Sequence, residues 1–343
     1  MKLLPRSLSR AALAAGLAVM VAAPAASADT PTPTPTSATT PTTTPTASGS
    51  TATPTVTTTP GATNTPGATS TPTTTSTPGP GATATPNPST PHDNRYFSQT
   101  GFRIDSDAFW AYFNMRGGIP TFGYPTSRQF QFLGFNTQFF QRRVMQQAPD
   151  GSVRLLNLFD QGLFPFTNIN GSTFPAPDPT VQAAAPALSD PNYSTDVLNF
   201  IQQNAPNTVN GKPTNFYNTF ASQVPVSAAF PNGGDTNLLP GFDLEMWGVV
   251  TSHPSIDPAN NNFIYLRWQR GIMMYDGSTN LTQGVLLADY FKAIITGNNI
   301  PPDLDLQAKG SSFYKQYNDS QPNGVNNPGL LPGTNMQFAF DPE

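Results

Sequence analysis

Apolar and polar residues are distributed very unevenly along this chain. Residues 29–93 consist almost entirely of Thr, Pro, Ala, Ser and Gly, whereas aromatic residues recur from Asn94 onward. A segment without large apolar side chains cannot bury enough surface to offset its chain entropy, and its prolines keep it extended. The pattern therefore predicts one folded region of about 250 residues, preceded by a disordered Pro/Thr-rich linker over 29–93.

Within the folded region, the apolar spacing predicts short helices and short strands. Ser106 is a suitable N-cap for a helix over 107–115, and Gly117-Gly118 would end that helix. The clearest helical spacing runs over 283–296. The other expected elements are helices over 195–204 and 213–221 and strand-like runs over 137–145, 152–159 and 262–275. Together these elements predict an α+β fold that is rich in β structure.

One sequence pattern occurs twice in the folded region. An aromatic-Gly-x-x-Thr-Ser element stands at 122–127 and again at 247–252. Each copy is followed by an aromatic-Gln-Arg-x-aliphatic-Met element, at 140–145 and at 268–273. Self-similarity of this kind indicates one supersecondary unit used twice. The sequence therefore predicts two related turn-plus-hairpin repeats with short flanking helices.

A change in composition divides the folded region. Residues 166–189 are rich in Pro, Ala, Asn and Asp, which is typical of a connecting segment. We therefore expect a first repeat subdomain over 94–165, a connecting segment over 166–189 and a second repeat subdomain over 190–343.

Residues 1–28 have the features of a signal peptide. Lys2, Arg6 and Arg10 form a positively charged start, an apolar run follows over 11–23, and Ala26-Ser27-Ala28 supplies the small residues of a cleavage site. The apolar run is too short to serve as a membrane span. We expect cleavage after this site and a secreted protein that is extracellular or associated with the cell surface.

Charge and cysteine content narrow the function classes. The chain has a formal net charge of −4 and no cysteine. No basic cluster follows the signal peptide, which argues against nucleic-acid binding. The lack of cysteine excludes disulfides and leaves stability to the hydrophobic core. No later segment approaches the roughly 20 apolar residues of a membrane-spanning helix.

The folded region resembles two groups of bacterial proteins. Residues 117–125 resemble the Gly-Gly…Leu-Gly-Phe/Tyr-Pro core of LGFP repeats, which occur in envelope proteins of mycolate bacteria. Residues from about 94 to the end are more closely similar to a group of secreted Chloroflexi proteins, through 268–273 and 282–290. The first repeat departs from the LGFP pattern at Arg143, where a glycine is expected. The LGFP resemblance implies binding or anchoring to cell-wall polymers.

Few residues could support catalysis or hold a cofactor. His92 and His253 are the two histidines, and no Gly-x-Ser-x-Gly motif accompanies them. Glu245, close to Trp247, is the best candidate for the acid of a glycoside hydrolase. Its possible partners are Asp105, Asp107, Asp257 and Asp289. Because no sequence feature pairs these carboxylates, we predict that they are surface and turn residues and that no catalytic residue is present.

Metal ligands are also scarce. Zinc sites need cysteine or paired histidine, and the oxygen-rich stretch over 257–262 lacks the alternating ligand spacing of a calcium loop. We therefore predict no metal site and no cofactor.

The aromatic and amide side chains of the repeats suit carbohydrate. Strand alternation over 262–275 places Tyr265, Arg267 and Gln269 on one face, which we expect to face solvent, and Leu266 and Trp268 on the inward face. An exposed ring can stack on a sugar while the polar groups bond its hydroxyls. The candidate binding residues are Tyr265, Arg267, Gln269, Tyr124, Trp247 and Tyr112.

These observations favour a secreted or surface-tethered, non-catalytic module that binds cell-envelope or extracellular polysaccharide. Two alternatives stay open: a hydrolase acting on extracellular glycans, and a purely structural surface protein. A raised carboxyl pKa in a cleft would favour the hydrolase, exposed repeat aromatics would favour the binding module, and fully buried repeat aromatics without a groove would favour the structural protein.

Overall fold

The computed structural model describes residues 93–343. The predicted signal peptide and residues 29–92 of the predicted linker lie outside the described residues. The helices are α1 (Asp107–Met115), α2 (Ile119–Phe122), α3 (Pro179–Ala184), α4 (Tyr193–Asn204), α5 (Phe216–Ala221), α6 (Val226–Ala229), α7 (Leu239–Trp247), α8 (Leu287–Thr296) and α9 (Pro302–Ala308). The strands are β1 (Tyr96–Phe97), β2 (Phe102–Arg103), β3 (Phe130–Phe132), β4 (Phe135–Phe139), β5 (Val144–Gln147), β6 (Val153–Leu155), β7 (Asn168–Ile169), β8 (Ser172–Thr173), β9 (Ser255–Ile256), β10 (Phe263–Trp268), β11 (Gly271–Asp276) and β12 (Leu281–Gly284).

The β structure consists of small antiparallel sheets. In one four-stranded sheet β3, β4, β5 and β6 pair in chain order, and in a second one β9, β10, β11 and β12 do the same. The centre of the second sheet is the β10–β11 hairpin, in which Ile264 pairs with Tyr275 and Arg267 with Ile272. The hairpins β1–β2 and β7–β8 form two-stranded sheets. The predicted α+β, β-rich fold class is confirmed.

Helix α1 forms where its capping residue predicts it. The Ser106 hydroxyl accepts a hydrogen bond from the Phe109 amide at 3.3 Å, which satisfies one of the unpaired donors of the first turn. Phe109 and Phe113, four residues apart, are both buried. Among the described residues the longest helix, α4, has 12 residues, and no helix there is long and apolar enough to cross a membrane.

Several element boundaries differ from expectation. The run expected over 262–275 is the β10–β11 hairpin, the run over 152–159 is shortened to β6, and the helix over 213–221 begins at Phe216. Two further differences have a clear cause. The helix expected to begin at residue 283 begins at Leu287, because Leu281–Gly284 forms an edge strand that pairs with β11. The strand expected over 137–145 is divided, because the chain turns at 140–143 between β4 and β5. In both cases pairing with a neighbouring strand overrides the local apolar spacing.

Two hydrophobic clusters fill the described part of the chain, and each combines side chains from 94–165 with side chains from 190–343. The first includes Phe109, Phe122, Phe140, Trp247 and Trp268. The second includes Phe132, Phe139, Tyr265, Phe291 and Phe313. Residues 166–189 also contribute to both, through Phe174 in the second and Val181 in the first.

The two copies of the repeated pattern make matching backbone hydrogen bonds. The Thr126 amide donates to the Phe139 carbonyl at 2.8 Å, and the Thr251 amide donates to the Arg267 carbonyl at 2.9 Å. Bridges also join Pro125 to Phe140 and Val250 to Trp268. These pairs occupy corresponding positions of the pattern. The superposition of the two complete units stays a prediction.

The glycine and the glutamine of each copy are in contact. Gly123 and Gly248 follow a helix with φ of +74° and +66°, in the region that favours glycine. A Cβ on Gly123 would lie 2.6 Å from Cβ of Gln141, and one on Gly248 would lie 2.6 Å from Oε1 of Gln269. Glycine is therefore required at both positions, because the turn has a positive φ and because the glutamine side chain leaves no room for a Cβ.

The Arg143 side chain accounts for a difference between the two copies. Its guanidinium lies over the Trp247 ring, 4.6 Å from the centroid, and donates to the Arg270 carbonyl. A Cβ on Gly271 would lie 2.9 Å from Nη1 of Arg143 and 3.0 Å from Trp247. The first copy thus carries an arginine where the second carries a glycine, and the arginine fills the space that the glycine leaves.

Candidate functional site

An open cleft of about 420 Å³ runs along α8. It is formed by side chains of this helix, by the turn that follows it and by residues near the C-terminus. We call it the α8 cleft, and its lining residues are Asp289, Tyr290, Lys292, Ala293, Thr296, Asn298, Asn299, Tyr317, Phe340 and Asp341.

The helix presents two different faces, which follow from its sequence spacing. Its buried face carries Leu287, Phe291, Ile294 and Ile295, which pack in the second hydrophobic cluster. Asp289, Lys292 and Thr296 recur at intervals of three and four residues on the cleft side. Gly297 ends the helix in the left-handed conformation, and the exposed Asn298 and Asn299 follow directly.

The C-terminal side of the cleft is held by Arg128. Its Nε donates to the Asp341 carbonyl at 2.8 Å, and its Nη2 donates to the Pro342 carbonyl at 3.0 Å. The Arg128 amide also donates to the Ala339 carbonyl at 2.7 Å. Three hydrogen bonds from one residue therefore fix the backbone on both sides of Phe340.

Tyr317 joins two carboxylates at this side of the cleft. Its hydroxyl lies 2.5 Å from Asp319 Oδ2 and 3.2 Å from Asp341 Oδ1. One hydroxyl has one proton to donate, so it serves one carboxylate at a time. Burial, followed by the hydrogen bond to Asp319 and the charge of that carboxylate, raises the pKa of Tyr317 well above its usual value, so the hydroxyl stays neutral. Its ring packs edge-on against Phe340, with centroids 5.1 Å apart.

Asp289 and Lys292 carry opposite charges in a half-buried setting. Burial raises the pKa of Asp289 to about 6, and the charges of Lys292 and Arg142 offset that rise only in part. Burial also lowers the pKa of Lys292. The Lys292 ammonium donates to the Thr126 carbonyl at 2.7 Å and lies 5.4 Å from the centre of the Phe340 ring. The ammonium is therefore held in place, while Asp289 can exchange a proton near neutral pH.

The expectation that Tyr265 faces solvent is wrong. Tyr265 is 1% exposed; its ring packs edge-on against Phe174 at 4.7 Å, and its hydroxyl donates to Ser172 at 2.9 Å. Strand β10 has a hydrophobic cluster on each side, so both faces of its alternation are buried. The predicted inward position of Trp268 is confirmed.

The remaining candidate binding residues are dispersed. Arg267 is 6% exposed and its guanidinium stacks on Phe159 at 3.6 Å. Trp247 is buried and donates to Gln223 at 2.9 Å, and Tyr112 is buried against Glu245. Tyr124 is half-buried, and Gln269 is the exposed member of the set. The residues of this set are absent from the lining of the α8 cleft.

Glu245, the acid candidate from sequence, is held in an ion pair. The Tyr112 hydroxyl donates to Oε1 at 2.6 Å and Arg116 Nε donates to Oε2 at 2.8 Å. The Arg116 guanidinium also lies 3.9 Å from the centre of the Phe242 ring. Both carboxylate oxygens are thus engaged in a structural contact between α1 and α7.

Of its possible partners, Asp289 is the one that lines the cleft. Asp257 is buried and caps a turn by accepting from the Ala259 amide at 3.0 Å. Asp105 and Asp107 form ion pairs at 2.7 Å with arginines of the β1–β2 hairpin. Among residues 93–343, no group of three or more His, Asp or Glu side chains is placed to hold a metal ion.

Sequence reasoning missed most of the cleft. The polar side of α8 carried a signal, because Asp289 and Lys292 lie on one face of a clearly periodic helix. Tyr317 and Asp341 lie in a Pro/Gly-rich tail whose sequence indicated coil.

Comparison with known proteins finds no matching family model, no matching curated protein and no matching solved structure.

Proposed function

We propose that this chain is a secreted or surface-tethered protein that binds extracellular or cell-envelope polysaccharide in the α8 cleft. The α8 cleft is the observation that carries the proposal. Its volume of about 420 Å³ lies within the roughly 300–1,000 Å³ of small-molecule sites. Secretion and tethering rest on the signal-like residues 1–28 and the linker-like composition of 29–93.

The chemistry of the lining suits sugar hydroxyls. Asn298 and Asn299 offer amide groups that both donate and accept hydrogen bonds. The Thr296 hydroxyl, which donates to the Lys292 carbonyl at 2.9 Å, adds polar surface beside them. Tyr290 and Tyr317 are half-exposed and supply ring surface for the apolar faces of a sugar. A polar rim with aromatic surface is the combination that a sugar needs.

The charges of the cleft favour a neutral glycan over an acidic one. Two carboxylates, Asp289 and Asp341, line the cleft beside a single cation, Lys292. That cation already donates to the Thr126 carbonyl and lies over an aromatic ring. Carboxylates accept hydrogen bonds from sugar hydroxyls but repel uronic acids and phosphates.

Binding to glycans tests the proposal. The full chain is incubated with insoluble wall and extracellular glycan preparations, and affinity for soluble neutral oligosaccharides is measured by calorimetry. We expect Asn298→Ala, which removes an exposed amide from the cleft, to weaken binding about tenfold, which corresponds to about 1.4 kcal/mol. The matched control is Asn232→Ala, which alters an exposed asparagine outside the lining. Equal affinities for both variants, or retention of the wild type on none of the glycans, would contradict the proposal.

A further inference from the structure

Two carboxyl groups line the α8 cleft from separate parts of the chain. Asp289 lies in the first turn of α8, and Asp341 lies two residues from the C-terminus. Both are lining residues of the same open cleft, next to the half-exposed Tyr317. A pair of carboxyl groups facing one cleft is what acid–base cleavage of a glycosidic bond requires.

The surroundings of Asp289 suit a proton donor. The side chain is half-buried, and the amide of the same residue is fixed by a hydrogen bond to the Gln141 carbonyl at 3.1 Å. Its raised pKa of about 6 leaves a usable fraction of the acid form in mildly acidic and neutral solution.

The surroundings of Asp341 suit a proton acceptor. Its backbone is fixed by Arg128, and its Oδ1 lies 3.2 Å from the Tyr317 hydroxyl. That hydroxyl lies closer to Asp319, at 2.5 Å, so it donates chiefly to Asp319. Asp341 lines the cleft on a backbone that Arg128 fixes, and a carboxylate that shares one hydroxyl proton with Asp319 retains acceptor capacity.

We propose that the α8 cleft hydrolyses glycosidic bonds of the polysaccharide that it binds, with Asp289 as general acid and Asp341 as general base. This inference rests on the proposed function. Asp289 transfers its proton to the glycosidic oxygen as the bond from that oxygen to the anomeric carbon breaks. Asp341 accepts a proton from the water molecule whose oxygen forms the new bond to the anomeric carbon. The products are a new reducing end and a free hydroxyl, and the proton returns from Asp341 to Asp289 through solvent.

Asp289 and Asp341 are the catalytic residues of the proposed hydrolysis, and Glu245 takes no part in it. Glu245 has both oxygens bonded, to Tyr112 and Arg116, and lies outside the cleft lining. Lys292 acts as a positioning residue at most, because its ammonium is bound to the Thr126 carbonyl.

The test measures cleavage and binding on the same preparations. The full chain is incubated with neutral polysaccharides, new reducing ends are counted, and retention on the same glycans is recorded in parallel. We expect Asp289→Asn and Asp341→Asn each to lower cleavage by about a hundredfold or more, and by a far larger factor than any fall in retention. Asp150→Asn, an exposed turn residue between β5 and β6, is the matched control and should cleave at the wild-type rate.

The pH profile of the wild type gives a readout that needs no variant. Cleavage should decline as pH rises through about 6, because Asp289 must carry its proton to act as the acid. A wild type that is retained on a glycan but releases no reducing ends overturns the hydrolytic proposal and leaves polysaccharide binding standing. Wild-type cleavage by Asp289→Asn also overturns it. A wild type that is retained on no glycan overturns both proposals.

Discussion

Replacement of the buried Asp243 should make the protein more stable at neutral and alkaline pH. Asp243 lies on α7 and is 1% exposed, and its Oδ1 accepts a hydrogen bond from the Val224 amide at 2.9 Å. Burial raises its pKa from 3.8 to about 7, and the hydrogen bond from Val224 offsets this only in part. A buried carboxylate without a cationic partner is costly, so the folded state holds the proton more tightly than the unfolded state does.

The sign and the size follow from proton linkage. Between the unfolded pKa of 3.8 and the folded pKa of about 7, the folded state binds the extra proton. The free energy of unfolding therefore falls as pH rises through this window. Below the window Asp243 does not affect the free energy of unfolding. Above the window the full cost of burying the ionised carboxylate lowers it. Each pH unit is worth about 1.4 kcal/mol, so the contribution of Asp243 should fall by about 3 kcal/mol between about pH 5 and about pH 8.

Asp243→Asn isolates this contribution. The amide oxygen still accepts from the Val224 amide, and the side chain is neutral at every pH. Its amide protons add a cost of about 1–3 kcal/mol if they are left unpaired, but this cost does not vary with pH. The variant should therefore gain stability relative to the wild type by about 3 kcal/mol on passing from about pH 5 to about pH 8.

Urea unfolding of the wild type and of Asp243→Asn at both pH values measures the difference between their free energies of unfolding. The pH dependence that all other groups contribute is the same in both proteins and cancels in this difference. Asp150→Asn, which alters an exposed turn aspartate, is the control and should show the same difference from the wild type at both pH values. If the stability difference between Asp243→Asn and the wild type is independent of pH, or declines toward alkaline pH, the reasoning about the buried carboxyl is refuted.

Two further predictions concern the core. Tyr265→Ala and Trp268→Ala should each lower the free energy of unfolding by about 3–5 kcal/mol in urea titrations, because the two rings are buried on opposite faces of β10. A Tyr265→Ala protein with wild-type stability would show that the Tyr265 face of β10 is open to solvent. Gly271→Ala should destabilise the protein by about 1–3 kcal/mol, since the new Cβ would meet Arg143 and Trp247. Gly310→Ala is the control: a Cβ there meets open space, so the stability should change little. Equal effects of the two substitutions would argue against the close approach at Gly271.

The sequence identified the helix α1 and the fold class for local reasons. A serine N-cap, apolar residues four positions apart and two glycines at the end act within one or two turns of chain, so their effect does not depend on the rest of the fold. The same holds for the buried face of α8. Its first residue was placed too early because β12 belongs to a sheet, and pairing with β11 depends on a neighbour that the local pattern does not show.

The candidate site depended on contacts between distant segments. Asp289 was visible as one of several unpaired carboxyl candidates. Asp341 is held at the cleft by Arg128, which is more than two hundred positions away along the chain and bonds the C-terminal backbone. The facing of β10 is a second case. The alternation of side chains correctly placed Tyr265 and Trp268 on opposite faces of the strand. It cannot show whether one face or both faces of the strand are buried.

By itself, the sequence determined the α+β class, the cap of α1, the apolar stripe of α8 and the inward position of Trp268. These features follow from composition, capping and period. The tertiary structure decided that β10 lies between two hydrophobic clusters, that Glu245 is held by Arg116, and that α8 and the C-terminus enclose a cleft. The physical reason is that burial and hydrogen bonding across long sequence separations depend on which elements pack together. The polar and apolar pattern of one element indicates only that the element has a face to bury.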